Sequence, residues 1–164
     1  MPAPSMNRLR AALTLALALV TLSCTAAAQD TTGGIRYGAA PALDCKQISK
    51  VASKGSWVEA NGVATEFGAT RTARLSFSDP VATDKFHATM NGAGARELAL
   101  VEVQDTKGDW HKAWEGKLSP PAPGFEQTCF ESPLPRKQVV QGLRFSFRMA
   151  PGQVELNHAA LLRR

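Results

Sequence analysis

The segment Leu98–Leu118, LALVEVQDTKGDWHKAWEGKL, decides the fold class. Val101 and Val103 alternate with Glu102 and Gln104, so one side of the run is branched and apolar and the other polar, as in a half-buried strand. Asp105-Thr106-Lys107-Gly108 then supplies turn chemistry, an acceptor side chain for backbone N–H groups followed by a glycine tolerant of positive φ. Trp110, Lys112 and Trp114 recur at every second position and are expected on one side of the returning strand. The segment reads as a β-hairpin.

The pattern continues on both sides. Upstream, Ala73, Leu75 and Phe77 alternate with Arg74 and Ser76 until Asp79-Pro80 ends the run, and Phe86, Ala88 and Met90 repeat the period before Asn91-Gly92 and Gly94. Downstream, the proline-rich connection Ser119–Gly124 cannot be a central strand, because proline lacks the ladder donor. Leu143, Phe145, Phe147 and Met149 then alternate with Arg144, Ser146 and Arg148, and Pro151-Gly152 is expected to turn this strand into Val154–Leu162 as a closing hairpin. The one weak helical pattern lies around Leu43–Val51. Short strands separated by turn signals predict an all-β antiparallel sandwich of the jelly-roll type. Its expected core is Leu75, Phe77, Phe86, Met90, Val101, Val103, Trp114, Leu143, Phe145, Phe147 and Leu156.

The N-terminus predicts export. Arg8 and Arg10 precede the apolar run Ala11–Val20, and Ala26-Ala27-Ala28 supplies the small residues of a cleavage site, so residues 1–28 read as a secretory signal peptide. The apolar run is about half the ~20 residues a transmembrane helix needs. Residues 29–44, with Thr31-Thr32-Gly33-Gly34 and Pro41, read as a flexible lead-in to a single domain over 45–164. Removal of the signal takes Cys24 with it and leaves Cys45 and Cys129, which in a periplasmic or secreted protein are expected to form a disulfide. The alternative is a lipoprotein anchored through Cys24, with Thr21-Leu22-Ser23 ahead of it.

The residues just quoted also occur in a telling order: Arg74-Leu75-Ser76-Phe77, Pro80-Val81, Val101–Asp105 with Gly108, Trp110, Trp114 and Gly116, Val140–Arg148, and Val154-Glu155-Leu156-Asn157-His158-Ala159. In this order the chain resembles the discoidin-like, galactose-binding-like β-sandwich domains over roughly Val51–Leu162. The resemblance implies a recognition domain that works through loops at one end of a sandwich. It departs from that pattern at Asn157, where those domains carry an aspartate, which removes one anionic ligand of a structural calcium. Their early tryptophan-bearing loop has no counterpart between Gly62 and Thr72, where Glu66, Phe67 and Arg71 stand instead.

The chemical inventory favours binding over catalysis. His87, His111 and His158 fall on three different strands with no nearby ligand in sequence, so a metal site is not expected, and neither is a cofactor; His158 is placed on the inner face and His87 on the polar one. Glu102, Asp105, Asp109 and Glu115 occupy turn and surface positions, where carboxylates are normally solvated rather than catalytic. A hydrolase is therefore the weakest reading. Trp57, outside any clean alternation, is the candidate aromatic platform, and Arg71, Arg144 and Arg148 are the candidate donors to a carboxylate or phosphate. The formal net charge of +5 falls to +3 once Arg8 and Arg10 leave with the signal, and it is spread along the chain, which argues against a nucleic-acid partner. The expectation is a non-enzymatic recognition domain for a glycan or an acidic envelope protein; the alternative is a periplasmic accessory or inhibitor protein acting through a flat interface.

Overall fold

In the computed structural model, residues 34–38, 55–66, 71–119, 121, 124–148 and 153–164 are described, with side chains 63–66 excepted. The signal peptide, Cys24, Cys45 and the Leu43–Val51 pattern lie outside them. Strands β1 (Ile35–Tyr37), β2 (Ser56–Glu59), β3 (Asn61–Glu66) and β4 (Arg71–Asn91) precede one short helix, α1 (Gly92–Glu97). Strands β5 (Leu98–Gln104), β6 (Trp110–Glu115), β7 (Gln127–Phe147) and β8 (Val154–Arg163) complete the chain. The protein is an all-β sandwich, as the alternation predicts.

Both layers come from one sheet, in the order β1-β8-β4-β7-β5-β6, with β2 also on β8 and β3 on β4. The device is a pair of 21-residue strands that pass through both layers. The first half of β4 lies between β3 and the end of β7, as at Leu75↔Val63 and Leu75↔Leu143, whereas its second half lies between β8 and the start of β7. Pairing breaks at Ser76/Val81 and at Thr83/Lys85. Asp79-Pro80 sits in the first break and Pro133 and Pro135 border the second, so the bend falls where proline removes ladder donors. The runs around Leu75 and Ala88 are consequently one bent strand rather than two.

The folded halves face each other. Phe86 of the second layer meets Phe145 of the first edge-on at 6.3 Å, and Trp114 of β6 meets Phe130 of β7 at 5.0 Å. Ten of the expected core residues are buried, from Leu75 through Leu156, while Trp114 packs half-buried against them.

Four expectations need correction. No closing hairpin joins the end of β7 to β8: β7 ends between β4 and β5, and β8 crosses to the other layer to pair with β4, β1 and β2. The lead-in is not wholly without structure, because Ile35–Tyr37 runs parallel to β8 and buries Ile35. Register shifts between Val101 and Glu102, so that Val101 faces Trp114 while Glu102 faces Lys112, and Ala113 is the extra residue of a bulge. Trp110 and Lys112 therefore point outward and Trp114 inward. A second shift, between Thr89 and Met90, leaves Asn157 unpaired and turns His158 to the outer face, away from the core side expected for it.

Candidate binding face

The first layer presents an outer face made by the polar phase of β4, β7, β5 and β6. Arg74 lies opposite Arg144, Arg144 opposite Glu102, and Glu102 opposite Lys112, giving a charged row across four strands. The Arg144 Nε–H donates to the Glu102 carboxylate, and its guanidinium lies over the Trp110 ring, 4.4 Å from the centroid. Both partners of the ion pair are largely covered, at 21% and 16% side-chain exposure, so the guanidinium is fixed as a flat platform. Gln104 beside Trp110 is also tied down, its amide donating to the Gly108 carbonyl at 3.0 Å.

The hairpin that carries Trp110 has its own lock. Asp105 Oδ1 accepts from the backbone N–H groups of Lys107 and Asp109 at 2.9 and 3.0 Å, Oδ2 contacts His111 Nε2 at 2.8 Å, and Gly108 takes φ +94°. Chiefly the His111 hydrogen bond, with further help from the two backbone donors, holds the Asp105 carboxyl below its ordinary range.

Next to the charged row is an open cavity of 540 Å³ lined by Ala99, Leu100, Glu115, Gly116, Lys117, Ser146 and Arg148. Ser146 and Leu100 occupy the row adjoining Arg144 and Glu102. Arg148 is exposed and donates through Nη2 to the Gly116 carbonyl at 3.3 Å, while Glu115 is held by Lys112 at 2.9 Å. Arg144 and Arg148, linked in the sequence by spacing about Ser146, thus serve one face.

Trp57 and Arg71 do not join them. Arg71 lies opposite Phe147, on the inward phase at the start of β4, and Arg74 takes the place beside Arg144. Trp57 lies opposite Leu162 on β2 and stacks on His87, centroids 4.1 Å apart and planes 6° apart. His87 is the outward phase of the second layer, so Trp57 sits on the opposite side of the sandwich and is half-buried rather than an exposed platform. There His87 and His158 meet Nε2 to Nε2 at 2.8 Å, and His158 Nδ1 stands 3.9 Å from Glu59. Among the described residues, no group of three His, Cys, Asp or Glu side chains is placed to hold a metal ion, and no helix is long and apolar enough to cross a membrane. Trp110, rather than Trp57, is the aromatic beside Arg144 on this face. The available signal was its place two residues from the turn glycine, opposite the polar Gln104.

No family model matches the chain, and no curated protein matches it. Several solved structures are similar. The family 32 carbohydrate-binding module of Streptococcus pneumoniae EndoD is 12% identical with a TM-score of 0.40, over 62% of this chain and 75% of that one. CpGH89CBM32-6 of Clostridium perfringens is 11% identical with a TM-score of 0.44, over 63% and 78%. The chitosan-binding module 1 of a chitosanase/glucanase from Paenibacillus sp. IK-5 is 7% identical with a TM-score of 0.40, over 60% and 69%.

Proposed function

We propose that this chain is an exported, non-enzymatic recognition domain that holds a glycan on the outer face of its first layer. The observation that carries the reading is the cavity beside the Arg144–Trp110 platform. Its 540 Å³ lies within the ~300–1,000 Å³ usual for small-ligand sites, and its lining mixes an apolar floor with convergent polar groups. A sugar ring needs that mixture, one apolar face and several directed hydrogen bonds. A glycan array probed with the mature domain and with Trp110→Ala tests this: defined glycans retained by the first and lost by the second are expected. An array blank for the first, or unchanged for the second, overturns the reading.

Export through a signal peptide ending at Ala28, and a bridge between Cys45 and Cys129, belong to the same proposal. Cys129 stands on β7 opposite Thr89, and its bridge to Cys45 would form in an oxidising compartment. Intact-mass and peptide mapping of the exported protein should give Gln29 as the first residue and a Cys45–Cys129 peptide; a lipid-bearing Cys24 would replace soluble export with anchoring. A protein partner is the second reading, favoured by Phe125, which is 67% exposed just ahead of β7.

A further inference from the structure

The cavity holds positive charge that its own acids do not neutralise. Arg144, Lys112, Lys117 and Arg148 serve this face or line the cavity, against Glu102 and Glu115 among the described side chains. Both of these carboxylates are already engaged, Glu102 by Arg144 and Glu115 by Lys112. Lys117 makes no ion pair with any described residue, and Arg148 donates to a neutral carbonyl. Elsewhere Lys85 pairs with Glu131 and Arg164 with Asp84. Arg148 and Lys117 therefore border this cavity with no ion-pair partner among the described side chains.

From this we infer that the glycan is acidic, a saccharide bearing a carboxylate, seated with that group between Arg148 and Lys117. The inference rests on the glycan reading and adds its charge class. The hydrogen bond to the Gly116 carbonyl holds the guanidinium against the cavity wall, which leaves its remaining N–H groups to fork onto a carboxylate. Ser146 offers a hydroxyl on the same wall, and Leu100 and Ala99 back the apolar face of the ring.

Calorimetric titration of the mature domain with a tetragalacturonate and with a neutral galactotetraose tests this, at low and high salt, beside an Arg148→Gln/Lys117→Gln variant whose denaturation midpoint is checked first. The acidic oligosaccharide should bind about tenfold more tightly, and both salt and the double substitution should bring it to the neutral level. Equal affinity for the two, or an acidic preference indifferent to the double substitution, overturns the acidic assignment and leaves the glycan reading standing. Binding of neither, together with a blank array, overturns both.

Discussion

Arg144 and Arg148 are four positions apart on one face, yet their surroundings set them different tasks. Arg144 is covered, ion-paired to Glu102 and stacked on Trp110, so its removal strands a half-buried carboxylate and uncovers an indole. Arg148 is exposed and holds one long hydrogen bond. Arg144→Ala should therefore cost about 1–3 kcal/mol in urea unfolding, the cost of orphaning a charged partner, while Arg148→Ala should cost under about 0.5 kcal/mol. Equal effects would show that the Arg144 cluster contributes nothing to folding. Spacing alone gave both residues an exposed strand face. The difference was invisible in sequence because it depends on which residues β5 brings alongside β7.

At the scale of the element, the β5–β6 hairpin is where sequence and structure agree most closely and also where they part. Its strands and turn follow from short-range chemistry: alternation in Val101–Gln104, an Asp at the start of the turn and a glycine at positive φ. The bulge at Ala113 does not, since Trp110–Glu115 shows an unbroken period of two and only the pairing with β5 reveals the extra residue. The same holds at Asn157 in β8. Acid should loosen this hairpin first. With the folded pKa of Asp105 depressed below its unfolded value, its contribution is fully present above the unfolded pKa and is lost as pH falls through the folded one. Protection of the Lys107 and Asp109 amides, measured relative to their intrinsic exchange rates, should thus fall below the ordinary aspartate range, and Asp105→Asn should remove that acid step. Protection that is flat with pH in the parent protein would contradict the assignment.

For the whole molecule, the core is the part most legible in the sequence, because each apolar phase is local to its strand and a slip of one residue would expose the entire set. Phe145 lies wholly buried against Phe86 where the two layers meet, so Phe145→Ala should cost ~3–5 kcal/mol, much of a small domain's stability. A variant that keeps its denaturation midpoint would show that the layers are not held by this contact. Topology was less legible: nothing short-range in Asp79-Pro80 or in Ser132–Pro135 says that the chain bends and continues rather than turns back. The same gap scattered the expected site, since Trp57 and Arg144 look interchangeable as ligand contacts until the bent strands assign them to opposite sides.

The central claim, that ligand binds the outer face of the first layer, is tested most directly by amide and indole chemical-shift mapping of the mature domain during titration with an acidic oligosaccharide. Shifts should concentrate at Leu100, Glu115, Gly116, Ser146, Arg148 and the Trp110 indole N–H. Shifts centred on Trp57, His87 and His158 would place binding on the opposite side of the sandwich and contradict the account.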